Sequence, residues 1–206
     1  MYILYDYLPS GNSYKIRLLL NQLGIPYQRI SVDILKNETH NLDFLTKNPN
    51  GRVPVLDING GYLAESNAIL WYLAQQSHFL PQSSFDQAQV LQWMFFEQYS
   101  HEPNIATSRY WISILRAEHR YSEQLRLKQE QGYAALDVME QHLETNAFFV
   151  GGAYSIADIA LYAYTHVAEE GNFSLSAYPN ILRWIEGVES QPGYVSITHE
   201  PKNARP

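Results

Sequence analysis

A small α/β domain followed by an all-helical one is the fold class that this chain predicts. Strand, helix and strand succeed one another within the first ~30 residues, the size of a βαβ unit, and that order implies a parallel pair. From Asp86 onward the apolar residues recur at helical spacing. Between the two patterns, Ser77 to Ser84 holds Pro81 and a pair of serines and reads as a linker. The expected division is residues 1–77, a linker over 78–85, and a helical domain over 86–206.

Each element has its own signal. Tyr2 to Tyr7 is rich in aromatic and branched residues and predicts a strand. Tyr14 to Leu23 predicts a helix, with Ile16, Leu19, Leu20 and Leu23 on one face and Gly24 as its stop. Pro26 to Val32 predicts the second strand, and Leu42 to Thr46 a short helix. Val53 to Ile58 and Tyr62 to Ala64 predict a hairpin about Asn59-Gly60-Gly61. Ser66 opens a helix to about Gln76. In the second half, Asp86 to about Leu115 reads as one long helix or a broken one. Tyr121–Leu143, Ser155 to about Ala168, and Tyr178–Glu189 follow as further helices, and the polar tail from Glu200 to Pro206 is expected to fray.

Composition narrows the function. Of the 206 residues, 46% are apolar, which is ordinary for a folded chain and argues against disorder. A formal charge of -7 argues against nucleic-acid binding, which needs clustered Lys and Arg to neutralise phosphate. No apolar run reaches the ~18 residues of a membrane span, so no membrane association is expected. Met1 to Tyr5 enters a strand at once without a basic segment and apolar stretch, so no secretory signal is expected. Cysteine is absent, which excludes disulfides, thiolate metal sites and a cysteine nucleophile, and suits a reducing compartment.

The candidate ligand site centres on Val53-Pro54 and Glu65-Ser66. A proline at the mouth of a strand removes a ladder donor. It reads either as an ordinary edge-strand start or as a cis proline that turns the Val53 backbone toward an extended, peptide-like ligand. Ser66 reads as a helix cap, as part of a carboxylate site at a helix N-terminus, or as both, with Glu65 placed to hold an ammonium. Ser10-Gly11-Asn12-Ser13 has the residue types of a strand-to-helix turn.

Four separated pieces of the chain resemble the cytosolic glutathione transferases. They are Ser10-Gly11-Asn12-Ser13-Tyr14-Lys15-Ile16-Arg17; Asn48-Pro49, Gly51 and Val53-Pro54-Val55-Leu56; Glu65-Ser66 with Ala68-Ile69; and Ser155-Ile156-Ala157-Asp158. Each alone is weak, but their shared order and spacing is specific. The first piece is similar to serine-type bacterial members and to theta- and zeta-like ones. The resemblance implies a thioredoxin-like first domain, a cytoplasmic homodimer, glutathione as cosubstrate with no metal, and an electrophile held against the helical domain.

The resemblance also assigns residues. Val53, before a cis Pro54, would pair with the cysteinyl backbone of glutathione, and Glu65 and Ser66 with its γ-glutamyl end. Arg52, Thr39 and His40 are the candidates for its glycine carboxylate. Ser10 falls at the catalytic serine of theta- and zeta-like members, Asn12 at a sulfur-contacting asparagine of some bacterial ones, and Ser13 where beta-type members carry cysteine. Tyr7, Tyr99, His101 and Trp111 are the candidates for the electrophile pocket. Ser155 and Asp158 form a capping-box pattern that supports folding and is not catalytic.

The chemistry asks little of the protein. A thiol of pKa about 8.5 is only ~3% ionised at pH 7, and lowering it to about 6.5 takes about 2.7 kcal/mol. One charge-assisted hydrogen bond contributes roughly 1.5–3 kcal/mol, and a helix N-terminus roughly 0.3–1 more. A single serine at the start of the first helix therefore supplies most of the activation. Peroxide reduction, disulfide reduction and isomerisation would use the same site. The alternative is a transferase-like binding or stress-regulatory protein without turnover, since fold alone does not settle function.

Overall fold

A computed structural model describes residues 1–200; the expected frayed tail lies outside the described residues from Pro201 on. The chain forms two compact units, one from Met1–Ser77 joined by the segment that starts at Pro192, the other His78–Gln191.

The first unit is built on a four-stranded sheet in the order β2-β1-β3-β4, formed by β1 (Tyr2–Asp6), β2 (Tyr27–Ser31), β3 (Val55–Ile58) and β4 (Gly61–Ala64). β1 and β2 are parallel, as the strand–helix–strand pattern predicts, while β3 runs antiparallel to both β1 and β4. Alternation along β1 sends Leu4 and Asp6 to one face and Tyr5 to the other, where it meets Phe44 of α2 (Leu42–Lys47). Leu4 pairs across with Leu56 and Tyr5 with Val55, so one register fills both faces of the sheet. Asn59 and Gly60 both have positive φ, as a two-residue hairpin turn between Ile58 and Gly61 requires. β3 begins two residues later than the apolar run predicts, because Pro54 has no N–H for the ladder.

α1 (Gly11–Gln22) starts three residues before its apolar period does. Ser10 is the reason: its Oγ accepts from the Ser13 N–H at 3.3 Å, so the residues that read as a turn become the first turn of helix. α1 packs beside α3 (Ser66–Ala74), and Ile16, Leu19, Leu20, Ile69 and Leu70 are fully buried. Asp6 is buried at the end of β1 and accepts from Arg29; its Oδ2 also lies 3.3 Å from the Arg17 Nε. Arg17 in turn donates to the carbonyls of Leu8 at 2.7 Å, Ile197 at 2.9 Å and His199 at 3.0 Å. Tyr14 donates to the Val195 carbonyl and Asn21 to that of Gly193. Five hydrogen bonds thus run between the 192–200 segment or the β1–α1 loop and the outer side of α1, which is why that segment belongs with the sheet and not with the helices that precede it.

The helical unit opens with α4 (Ser84–Phe96), capped by Ser83. The span from Asp86 to about Leu115, expected as one long helix or a broken one, is interrupted after α4 by two wide turns, Glu97–His101 and Tyr110–Ile114, on either side of α5 (Glu102–Arg109). Pro103 accounts for the first, since a proline in mid-helix lacks a donor and its ring crowds the preceding turn. The Asn104 side chain takes over the Ser100 carbonyl at 2.7 Å. α6 (Ser122–Leu143), α7 (Ile156–Thr165) and α8 (Pro179–Glu189) complete the unit. The capping box is present: Ser155 caps α7 and Asp158 accepts from Ser155 N–H and Oγ–H. Asp158 also accepts from the Phe149 N–H and the Trp184 Nε1–H, so one buried carboxylate ties a loop and α8 to the start of α7.

Asp158 in α7 and the half-buried His166 at its C-terminal end are two titratable groups whose effects oppose each other. Burial pushes the Asp158 carboxyl up to about 6, against the four donors that favour its charged form. Burial brings His166 down to about 4, and the nearby Arg109 charge pushes the same way, while its bond to the Tyr162 carbonyl resists. A raised acid contributes stability at low pH that is lost as pH rises through about 6. A depressed histidine contributes stability above its unfolded value of about 6.5, lost as pH falls toward 4. The two windows overlap, so the wild-type profile masks both. In His166→Gln the Asp158 contribution is unchanged and cancels on subtraction. The stability difference between wild type and His166→Gln should shrink by about 2–3 kcal/mol from pH 7 to about pH 4. Urea titrations at a series of pH values read this directly, and a constant difference would contradict it.

Candidate functional site

The cap that begins α1 also sorts the three candidates in its first turn. Ser10 is partly exposed, and because its Oγ only accepts from Ser13, its O–H remains available to donate outward. Asn12 is partly exposed and its Oδ1 accepts from the Lys15 Nζ at 2.9 Å and the Ser66 Oγ at 3.1 Å. Two donors on Oδ1 orient the amide, so the Nδ2 donors point the other way. Ser13 is fully buried, and its hydroxyl has no hydrogen-bond partner among the described residues. Its burial, against the partial exposure of Ser10 and Asn12, is what sets it apart from them.

The start of α3 faces the start of α1. Glu65, not Ser66, is the N-cap residue, and it makes no side-chain cap bond. The Ser66 hydroxyl is buried and donates across to Asn12, so the simple capping role for Ser66 does not apply. With no side-chain cap, the first turn of α3 presents main-chain N–H groups and the positive end of the helix dipole. Glu65 is exposed and holds φ 67 and ψ 113, a backbone conformation that costs a non-glycine residue of order 1–3 kcal/mol.

A third element is the loop before β3. The Val53-Pro54 bond is cis. Val53 packs its side chain with Val32, Phe44 and Val55, while no hydrogen bond among the described residues uses its N–H or C=O. Asn48 is buried and braces this loop: its Nδ2 donates to the Arg52 carbonyl at 2.8 Å and its Oδ1 accepts from the Asn50 N–H at 3.1 Å. Gly51 has φ +63, and a Cβ there would lie 2.9 Å from the His40 Nε2, so the imidazole lies directly over the glycine. Thr39 is buried with its Oγ1 3.0 Å from the His40 Nδ1, whereas His40 and Arg52 are exposed. Of the adjacent pair Thr39 and His40, only the histidine is exposed.

The remaining candidates are separately placed. Tyr7, after β1, is partly buried and its carbonyl accepts from the Ser10 N–H at 2.8 Å. In the helical unit Tyr99 is 88% exposed, and Trp111 is partly buried and stacks on Tyr121 at 4.3 Å. His101 departs from its expectation as a pocket residue. It is fully enclosed and its Nε2 meets the Thr165 hydroxyl at 2.8 Å; that hydroxyl donates onward to the Leu161 carbonyl, so the imidazole is part of the packing.

Two residues of the site escape a reading of the sequence. Lys15 is fully buried and donates to Asn12 Oδ1, Ser66 Oγ at 3.3 Å and Asn67 Oδ1 at 3.4 Å. A lysine among leucines on a helix ordinarily signals its solvent face, and only the three-residue step from Asn12 hinted otherwise. Asn48 entered the sequence reading only as part of the Asn48-Pro49 piece of the resemblance, with no role of its own, although its side-chain bond two residues ahead is what asparagine does there.

Comparison with known proteins bears on both units. Residues 1–75 match the family model for the glutathione S-transferase N-terminal domain, and residues 104–192 that for the C-terminal domain. A glutathione S-transferase structure from Pseudomonas fluorescens Pf-5 is 51% identical, has a TM-score of 0.94, and covers 96% of this chain and 99% of its own. Maleylacetoacetate isomerase of Rhizobium meliloti is 32% identical over 186 residues, 87% of either protein. A glutathione transferase structure from Burkholderia graminis, 26% identical with a TM-score of 0.82 over 93% of this chain and 85% of its own, holds two glutathione molecules per subunit.

The bracing role of Asn48 can be tested without a ligand. Asn48→Ala removes two hydrogen bonds around the Gly51–Val53 loop, including the donor to the Arg52 carbonyl, a loss of about 1–3 kcal/mol. Urea denaturation should show a lower midpoint with an unchanged slope, and a wild-type midpoint would remove the assignment.

Proposed function

The chain belongs to the glutathione S-transferase family, and on that premise we propose that it ionises the thiol of glutathione at the N-terminus of α1 for attack on a small apolar electrophile. The observation that carries this reading is the meeting of two helix starts: the Asn12 Oδ1 of α1 is bonded at 3.1 Å to the Ser66 Oγ of α3. Glutathione has two groups that want such ends, a thiolate and an α-carboxylate, with an ammonium beside the carboxylate. Ser10 donates its free O–H to the sulfur, assisted by the Asn12 amide and the helix dipole. The uncapped first turn of α3 receives the γ-glutamyl carboxylate, and Glu65 its ammonium. The Val53 backbone pairs with the cysteinyl unit, and His40 and Arg52 hold the glycine carboxylate.

Activation of the sulfur is one half of the reaction and positioning the other. Holding sulfur and electrophile together converts an encounter into a local step. In this reading the helical unit supplies the electrophile surface, with Trp111 and Tyr99 as its candidates, and isomerisation or disulfide reduction draws on the same thiolate. The retained Ser10, Val53-Pro54 and Glu65 favour turnover over a purely binding role. A cytoplasmic homodimer is also part of the reading. Exposed Phe85, Phe95 and Tyr99 in one unit and Tyr62 and Tyr72 in the other support it, since large apolar residues left open mark contact surfaces. Among the described residues no helix is long and apolar enough to cross a membrane.

Ser10→Ala should leave glutathione affinity largely intact and lower conjugation with a chloronitroarene about 10- to 100-fold near neutral pH, with the thiol titrating at higher pH. An unchanged pH–rate profile would show that Ser10 is not the donor. Glu65→Ala should weaken glutathione binding by about tenfold or more in calorimetry, through loss of a charged partner. Equal affinity in wild type and variant would remove Glu65 from the site.

A further inference from the structure

Lys15 lies beneath the place where the two helix starts meet. An ammonium has three donors, and those of Lys15 reach Asn12 Oδ1 at 2.9 Å, Ser66 Oγ at 3.3 Å and Asn67 Oδ1 at 3.4 Å. The first belongs to α1 and the other two to the first turn of α3. Because Lys15 and Ser66 both donate to Asn12 Oδ1, the Asn12 amide is held in one orientation. Because the Ser66 proton is used on Asn12, what α3 offers a carboxylate is its main-chain N–H groups. The other charged residues nearby are otherwise engaged or exposed. Arg17, two positions along, serves Asp6 and the carbonyls of Leu8, Ile197 and His199, and Glu65 is at the surface.

We propose that Lys15 is a positioning residue that couples the two ends of the glutathione site, orienting the Asn12 donor toward the sulfur and setting positive potential under both the thiolate and the γ-glutamyl carboxylate. This rests on the reading of the site given above. The ammonium never touches the reacting atoms; it acts through Asn12 and Ser66 and through its charge. A fully buried charge is poorly screened, so its field reaches both anions with more force than a surface lysine would exert. The coupling gives Lys15 a signature that no other site residue shares. Ser10 governs the sulfur and Glu65 the binding of the amino end, whereas Lys15 governs both.

The test measures glutathione affinity by calorimetry and the pKa of the bound thiol by its thiolate absorbance, in wild type, Lys15→Gln, Lys15→Arg and Asn67→Asp. Lys15→Gln should bind glutathione about tenfold more weakly and show about a tenfold lower thiolate fraction at neutral pH, as loss of one nearby unit charge implies. Lys15→Arg keeps the charge and should recover most of the thiolate fraction. Asn67→Asp places a carboxylate against the ammonium without emptying the buried site, and should raise the thiol pKa even if Lys15→Gln does not fold. A folded Lys15→Gln with wild-type affinity and thiol pKa overturns the proposal, as does an unchanged thiol pKa in Asn67→Asp. Absence of glutathione binding by the wild-type protein would instead defeat the reading of the site itself, so the two failures are distinct.

Discussion

The first unit depends on satisfying two cations buried along one helix. Lys15 and Arg17 of α1 are two residues apart and so point to opposite sides of it, and both are essentially without solvent. A buried charge is tolerated only when its donors are used, and these two use theirs in opposite directions. Lys15 reaches the start of α3, drawing two helix N-termini together. Arg17 reaches back to Asp6 at the end of β1, to the Leu8 carbonyl in the loop that leads to Ser10, and out to the chain after Pro192. The helix is thereby fixed between the sheet edge and the C-terminal segment on one side and the ligand surface on the other. Polar satisfaction sets the geometry that the apolar core merely fills.

The same economy of polar groups appears in the helical unit. Asp158 accepts four hydrogen bonds from three parts of the chain and has no exposure with which to do anything else. His101, an expected pocket residue, is consumed by Thr165 in the same way. Both show that a titratable residue near an aromatic cluster is more often a strut than a reagent. At the proposed glutathione site the reverse holds: Ser10, Glu65, His40 and Val53 each keep a donor, a charge or a backbone group that no bond among the described residues uses. The distinction lies in which atoms the fold has already used.

Much of this was legible along the chain. The parallel β1–β2 pair, the hairpin about Asn59-Gly60 and the capping box at Ser155 all follow from local chemistry, because each is specified by residues within about a dozen positions of one another. The cis Val53-Pro54 bond was one of two readings the pattern left open. The start of α1 was misplaced because Gly11, Asn12 and Ser13 have weak helix propensity, which a cap from Ser10 overrides. The long helix after α4 was drawn as one span or a broken one, and Pro103 decided for the break.

By itself the sequence determined the fold class and the family, since periodicity, turn chemistry and four spaced segments are local properties that survive without coordinates; it did not show that the chain from Pro192 returns to the first unit. It also determined the residue types at the ligand surface. Which of those residues are exposed and which are packed away was decided only by the tertiary structure. Burial of Ser13 and Thr39, exposure of Ser10 and His40, and enclosure of His101 depend on what packs over each side chain from distant parts of the chain. The contacts of Lys15 are the clearest instance, because Asn12 and Ser66 are 54 positions apart and only folding brings them to one ammonium.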